Sequence, residues 1–340
     1  MSSISSSDHP SSRVVHTYAK RSTNASNATE RSSRGRVPLT PLISESWYGM
    51  VVDHAVSRSV RDTALLLDLT HGADPLSPYA ARAPKGSFAA AAARDPGKLS
   101  LVVYRKSPLG LPISAETIAA LDTAVALARE GGHSVEEIDL PFVDRDFAAD
   151  FCKTVASAVA GTMRAEAQRL GHPVTGEVER ATRVLSRLGE MLSAGEVYDG
   201  LQRLNATSRR LIDETARYDA VLMPIIAHPP LECGSMDPKG ADEFIENLLD
   251  KLHLTGLLKI KSFFGQLMDK SLWFTHWPAI QNVSGQPSIA LPVHVTASGL
   301  PLGIQAAGRP GDEETLLSLA AQIEKISGWL KRRAPLKVPA

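Results

Sequence analysis

Two short apolar runs near the end of the chain, Ser288 to Val293 and Leu302 to Ala306, constrain the fold more than any other feature. About half a dozen turn-prone residues separate the runs, which predicts two neighbouring β-strands. Glycines punctuate both runs, and glycine at such points is typical of a turn, a bulge or a close approach of the backbone. On spacing alone, the segment is a buried hairpin. The glycines are Gly285, Gly299, Gly303 and Gly308.

The order of residues around this hairpin resembles the C-terminal signature of the amidase signature family. That signature has an Asn, then Gly-x-Pro-Ser/Ala-Ile, an aliphatic-Pro strand and Gly-Leu-Pro-x-Gly-x-Gln-x-x-Gly-Arg. A second stretch, Ser33 to Val37 followed by His54 to Asp62, is similar to the family's Ser-Arg-Gly-Arg-Val loop and the helix after it. The C-terminal matches are Asn282, Gly285, Pro287, Ile289, Pro292, Gly299, Leu300, Pro301, Gly303, Gln305, Gly308 and Arg309.

The stretch between these motifs predicts an α/β fold. Leu99 to Tyr104, Ala115 to Glu130 and Ser134 to Leu140 follow the strand, helix, strand pattern of a parallel crossover. The resemblance implies the same class: a mixed, largely parallel sheet flanked by helices, with the N-terminal part of the family fold missing. Further predicted elements are helices at Asp146 to Leu170, Ser193 to Ala216 and Asp312 to Ile326, and a strand at Ala220 to Met223.

Two regions of the chain differ in composition, which suggests a domain division. Residues 1–31 are rich in serine and lack apolar periodicity, so we expect a disordered tail there. Residues 32–340 would then form an incomplete amidase domain, corresponding to the C-terminal two-thirds of the family. Within it, Asp242 to Phe274 is apolar and helical in pattern. Sequence alone leaves open whether this segment is a lid, a partner surface or packed core.

Charge and cysteine content exclude several classes of protein. Lys plus Arg equals Asp plus Glu at 37 each, so net charge does not attract nucleic acid or an anionic membrane. Cys152 and Cys233 lie far apart without CxxC spacing, which argues against a disulfide framework or a zinc site. The sequence contains no Walker loop or His-Glu-x-x-His motif, so we expect neither a cofactor nor a metal. The expected location is the cytoplasm, since no apolar run predicts a membrane span or a secretory signal.

The resemblance implies hydrolysis of carboxamide C–N bonds by a Ser, a cis-peptide Ser and a Lys. In the family these residues lie in a Gly-Gly-Ser region before the Ser-Arg-Gly-Arg loop, where this chain has only its Ser-rich segment. Lys20 is the one lysine there, and the pair Ser32-Ser33 aligns after the nucleophile loop. No catalytic residue is therefore assigned. The resemblance does imply candidate substrate-binding residues, namely Met223, Pro224, Ile225 and Asn282.

Three interpretations of function follow. The favoured one is an amidase-family hydrolase that is inactive as this chain and binds a small-molecule amide. The others are a non-catalytic binding or scaffold protein built on a remnant fold, and one half of a split amidase. Uncovered strand edges would then promote pairing with a complementing chain or a second copy. A hydrophobic amide is suggested by the apolar residues Met223, Ile225, Phe263, Phe264 and Trp273.

Overall fold

The computed structural model describes residues 28–235 and 261–332. The described strands form one sheet in the order β2-β1-β6-β7-β5-β3-β4. The strands are β1 Ala28–Arg31, β2 Val56–Ser57, β3 Ser100–Val103, β4 Ser134–Glu137, β5 Ala220–Pro224, β6 Ser288–Val295 and β7 Pro301–Gly308. The helices are α1 Val60–Thr70, α2 Phe88–Ala93, α3 Ala115–Glu130, α4 Arg145–Leu170, α5 Arg180–Met191, α6 Ala194–Thr215, α7 Lys261–Leu272, α8 Pro278–Ser284 and α9 Glu313–Ser327. A short 3-10 helix, Trp329–Lys331, follows.

The mixed α/β class is confirmed, but the expected predominance of parallel pairing is wrong for the described strands. β3 pairs parallel with β4 and with β5. The pairings β2–β1, β1–β6, β6–β7 and β7–β5 are antiparallel. The helical crossover between β3 and β4 permits parallel neighbours, whereas the tight connection between β6 and β7 forces antiparallel ones.

Alternating side chains along the strands divide the interior into two cores, one on each face of the sheet. On β5, Leu222 packs into one core and Val221 and Met223 into the other. The first core is closed by α1, α2, α3 and α9, and the second by α4, α6 and α8. Helices therefore cover both faces of the sheet, as the sequence predicted.

Local capping signals placed several helix ends. Ser193 and Glu196 form the reciprocal capping box at the start of α6. Asp312 caps α9 through the backbone N–H of Thr315. Helix α5 was not predicted from the sequence, although Leu185 and Leu188 lie at helical spacing and pack between α5 and α4. Those two leucines are the signal that would have found it.

Two predicted regions extend beyond the described residues. Residues 1–27 and 236–260 lie outside them. Ala28–Arg31, expected to be disordered, instead forms β1, because it gains backbone partners on β2 and β6 that local composition does not reveal. No helix in the described ranges is long and apolar enough to cross a membrane.

A buried ion pair ties the Ser33 to Val37 loop to the start of α9. The Arg36 guanidinium donates to both carboxylate oxygens of Glu313, at 3.0 and 2.8 Å. Both side chains are almost fully buried, with exposures of 3% and 0%. The backbone N–H of Ser33 also donates to Glu313 at 2.9 Å, and Ser33 Oγ accepts from the N–H of Gly311 at 2.9 Å. The loop that matches the family motif is thus a structural anchor between distant parts of the chain.

Candidate functional site

A groove of about 590 Å³ opens on the sheet face that packs against α4 and α8. Its walls come from residues 47–56 and from α8, with Phe151 from α4, Leu272 from the end of α7 and Ile225 just after β5. Apolar side chains dominate the lining, with a few amide, hydroxyl and charged groups among them, which is typical of small-molecule sites. The described lining residues are Arg31, Trp47, Met50, Val51, Val52, Asp53, His54, Ala55, Val56, Phe151, Ile225, Leu272, Thr275, Pro278, Ala279, Asn282, Ser288, Ala290 and Gln305.

Strand register assembles the floor of this groove. Arg31 on β1 is directly opposite Ser288 on β6, and Ala290 on β6 is directly opposite Gln305 on β7. Residues opposite each other in a ladder share a face of the sheet, as do residues two apart on one strand. Arg31, Ser288, Ala290 and Gln305 therefore form one patch, although Arg31 is far from the others in sequence.

Two arginines hold the C-terminal end of α8 against this floor. Arg31 donates to the carbonyl oxygen of Gln281 at 2.6 Å. Arg34 donates to those of Asn282 and Val283 at 3.0 and 2.8 Å. The last carbonyls of a helix have no partner within the helix and carry its negative dipole end, so cations stabilise them. The wall that presents Asn282 is therefore fixed by arginines.

A chain of side-chain hydrogen bonds orients Gln305. Its amide Nε2 donates to Oε1 of Gln281 at 3.0 Å, and Nε2 of Gln281 contacts Sδ of Met223 at 3.7 Å. The side-chain oxygen Oε1 of Gln305 accepts no hydrogen bond from the described residues. Because Gln305 lines the groove, that oxygen is available to an N–H group of a bound ligand.

The loop wall holds a strained turn. Trp47 and Tyr48 adopt left-handed backbone angles, with φ of 51° and 56°. Non-glycine residues in this region cost about 1–3 kcal/mol and persist only where neighbouring contacts hold them. Here Arg34 donates to the carbonyl oxygen of Gly49 at 2.6 Å, and Tyr48 Oη lies 3.1 Å from Ser157 Oγ. Such strain clusters at ligand sites, which agrees with the position of Trp47 on the groove.

Two titratable groups on this wall are Asp53 and His54. Burial lowers the pKa of His54, and a hydrogen bond to the backbone of Thr63 and the charge of Glu313 oppose that shift only in part. The imidazole is therefore neutral at neutral pH. Among the described residues, no group of three or more His, Cys, Asp or Glu side chains is placed to hold a metal ion.

The four predicted substrate-binding residues are in two different situations. Ile225 and Asn282 line the groove. The side-chain amide of Asn282 makes no hydrogen bond to the described residues. Met223 is 1% exposed and lies beneath Gln281, and Pro224 is buried in β5 opposite Ile304. Neither Met223 nor Pro224 is among the described lining residues. A role in binding remains a prediction for all four.

Sequence reasoning missed several groove residues. Arg31 was assigned to the disordered tail, and Ser288 and Ala290 were read only as strand. Their alternation on β6 is the signal that places them on one face, but the face that meets a groove depends on packing. Of the apolar residues that suggested a hydrophobic amide, Phe264 packs against the α4–α5 contact and Trp273 against the other core.

The sequence of the chain matches a known family over most of its length. A sequence model described as Amidase matches residues 31–317. The match begins at Arg31 and includes the anchor loop, α8 and the β6–β7 hairpin, so it spans every element that forms the groove.

Two named relatives are similar in sequence to this chain over most of its length. "Putative amidase AmiB2" of Mycobacterium tuberculosis is 31% identical over 313 residues, which are 89% of this chain and 58% of that protein. The 6-aminohexanoate-cyclic-dimer hydrolase of Paenarthrobacter ureafaciens is 28% identical over 324 residues, which are 91% of this chain and 61% of that protein. The chain therefore spans about three-fifths of the length of the relatives that it matches.

Solved structures share the fold. A 6-aminohexanoate cyclic dimer hydrolase complexed with substrate superposes with a TM-score of 0.76 at 24% identity, covering 91% of this chain and 62% of that one. A bacterial aryl acylamidase superposes with a TM-score of 0.66 at 20% identity, covering 89% and 59%. At these identities the likeness supports the architecture alone.

Proposed function

The chain belongs to the amidase family, and from this premise we propose that its groove binds the carboxamide of a small-molecule substrate. The observation that carries the proposal is that Gln305, Ser288 and Asn282 all line the same, largely apolar groove. A carboxamide has one acceptor and one or two N–H donors, and these side chains offer matching groups. The apolar walls suit an aliphatic or aromatic body beside the amide.

We further propose that the 340-residue chain does not hydrolyse this amide by itself. The family mechanism needs a lysine and two serines around the substrate. Of the described residues that line the groove, none is lysine and Ser288 is the one serine. Ser288 is 5% exposed and no described base contacts its hydroxyl, so it lacks the activation that a serine nucleophile requires.

The experiment is turnover by the purified chain. Amine and ammonia release would be measured from linear carboxamides and from the cyclic dimer of 6-aminohexanoate. Intact mass would be recorded after treatment with a serine-reactive fluorophosphonate. We expect no turnover and no adduct. Turnover with a single covalent adduct would refute the inactive interpretation and identify an unassigned nucleophile by peptide mapping.

Replacing Asn282 tests the groove as the amide site. Asn282→Ala is expected to weaken carboxamide binding about tenfold, because one hydrogen bond to the ligand is lost. Calorimetric titration with adipamide, the neutral diamide of adipic acid, measures the effect. The matched control is Asn205→Ala, since Asn205 is exposed on α6, away from the groove. Equal affinities for wild type and Asn282→Ala would exclude Asn282 from the site.

A second candidate is one half of a split enzyme, and the position of β2 favours it. β2 is one of the two edge strands of the described sheet and has only two residues, and Val56 is exposed there beside the groove. An edge strand can pair with a strand of another polypeptide. Turnover upon co-expression with the Gly-Gly-Ser region of a family member would support this arrangement.

We include a cytoplasmic location in the proposal, since Cys152 and Cys233 are both free thiols.

A further inference from the structure

We propose that the groove selects an amide that also carries a carboxylate group, and that this carboxylate pairs with the guanidinium of Arg31. The inference rests on the proposed function, because it names the substrate class of the same groove. It assigns specificity to a residue outside the groups that contact the amide itself.

Within the part of the chain that the structure describes, Arg31 has N–H donors that no hydrogen bond uses. A guanidinium has five N–H donors. Within the described residues, Arg31 uses one on the carbonyl oxygen of Gln281 at 2.6 Å and one on that of Met50 at 2.7 Å. Neither acceptor carries a charge, and none of the described ion pairs includes Arg31. The side chain lines the groove, so the remaining donors are within reach of a ligand there.

The neighbouring arginines have different surroundings. Arg36 is neutralised by Glu313 through two hydrogen bonds. Arg34 donates to the carbonyl oxygens of Gly49, Asn282 and Val283. Burial lowers the pKa of Arg34, and the charges of Tyr79 and Glu45 oppose that shift. Arg31 is therefore the arginine of this cluster that both faces the groove and lacks a charged partner in the described part of the chain.

The electrostatic surroundings of Arg31 favour the binding of an anionic group beside it. Burial, followed by the positive charge of Arg34, lowers the pKa of Arg31 to about 9. Asp53 lines the same groove but does not offset this shift. A cation that is partly buried without a counter-charge is costly, and a bidentate carboxylate is the partner that best fits a guanidinium. Ser288, opposite Arg31 on β6, adds a hydroxyl donor beside it.

A purely structural role for Arg31 as a cap of α8 makes a different prediction. In that case the cation would stabilise the helix end, and charged and neutral ligands would bind equally well. Carboxylate selectivity therefore separates the two roles.

The test uses a matched pair of ligands with the purified 340-residue chain. Adipamate, the monoamide of adipic acid, and adipamide differ only in a terminal carboxylate or carboxamide of the same shape. We expect adipamate to bind about tenfold more tightly than adipamide, because one hydrogen-bond acceptor becomes charged. Arg31→Gln should abolish the ratio between the two affinities, whatever its effect on their common value, and Arg31→Lys should keep part of that ratio. The control is Arg309→Gln, which alters an arginine paired with Asp219 outside the groove.

A pH series on the wild type keeps the test valid if Arg31→Gln fails to fold. The preference for adipamate should weaken as the pH rises above about 9, because burial and the charge of Arg34 lower the pKa of Arg31 to about that value. Adipamate remains ionised over that range, and the other charged or titratable groups around Arg31 are Arg34, Asp53 and His54. Equal binding of both ligands would overturn this inference alone. Failure of both ligands to bind would overturn the proposed function with it.

Discussion

Replacing Glu313 by glutamine is expected to lower the free energy of unfolding by about 3–5 kcal/mol, because it leaves the Arg36 cation buried without a counter-charge. Arg36 and Glu313 are 3% and 0% exposed, so solvent cannot replace the lost carboxylate. The carboxylate also accepts the N–H of Ser33, so the effect should extend to the anchor loop that carries Arg34. Urea denaturation followed by circular dichroism measures the change.

The control for this variant is Glu214→Gln. Glu214 pairs with Arg210 on the exposed face of α6 at 2.7 Å. Exposed pairs of this kind contribute about 0.3–0.5 kcal/mol. A loss of less than 1 kcal/mol in Glu313→Gln would contradict the view that this ion pair anchors the fold, since burial would then have no measurable consequence.

The same ion pair predicts that the free energy of unfolding falls at acidic pH. Burial alone would raise the pKa of Glu313, but the hydrogen bonds and charge of Arg36, with the N–H of Ser33, lower it below the ordinary value of 4.5. A carboxyl group whose pKa is lower in the folded state contributes stability above its unfolded pKa. That contribution is lost as the pH falls through the folded pKa. The difference in unfolding free energy between wild type and Glu313→Gln should therefore shrink below pH 4.5.

Replacing Gly189 by alanine is the second large effect that we expect. Alanine normally favours a helix interior over glycine by about 1 kcal/mol. At Gly189 on α5, however, an added Cβ would overlap the carbonyl oxygen of Ala156 and would lie 2.9 Å from Cβ of Ala160, both on α4. The two helices must separate to admit it, and overpacking of this kind costs about 1–3 kcal/mol. Thermal unfolding of Gly189→Ala should therefore show a lower midpoint than wild type.

Gly161→Ala provides the matched control, because Gly161 lies inside α4 with open space around it. The nearest side-chain atom to an added Cβ there is a guanidinium nitrogen of Arg164 at 4.0 Å. Helix propensity then acts alone, and the variant should be stabilised by about 0.5–1 kcal/mol. The close α4–α5 contact would be contradicted if both glycine variants shifted the midpoint in the same direction.

Local sequence placed most of the described regular structure. Apolar runs and glycines predicted the β6–β7 hairpin, and the capping box at Ser193 predicted the start of α6. The helix at Ala115–Glu130 has the predicted bounds. These signals succeed because periodicity and caps act over one or two turns or a short strand.

Local sequence failed where partners are distant. Ala28–Arg31 looked disordered because its backbone partners lie on β2 and β6. The family motifs identified Asn282 and Gln305 as part of a signature, but they did not indicate that Met223 lies beneath Gln281 or that Arg31 reaches the groove.

By itself, the sequence determined the helix and strand alternation, the hairpin and the family of the chain. Only the tertiary structure decided the candidate site, because Arg31, Ser288 and Gln305 meet through strand register, and the Arg31 hydrogen bond to Gln281 spans 250 positions. A shift of one residue in that register would turn these side chains to the opposite face of the sheet. The chemistry of the groove therefore depends on the pairing of β1, β6 and β7, which no local pattern specifies.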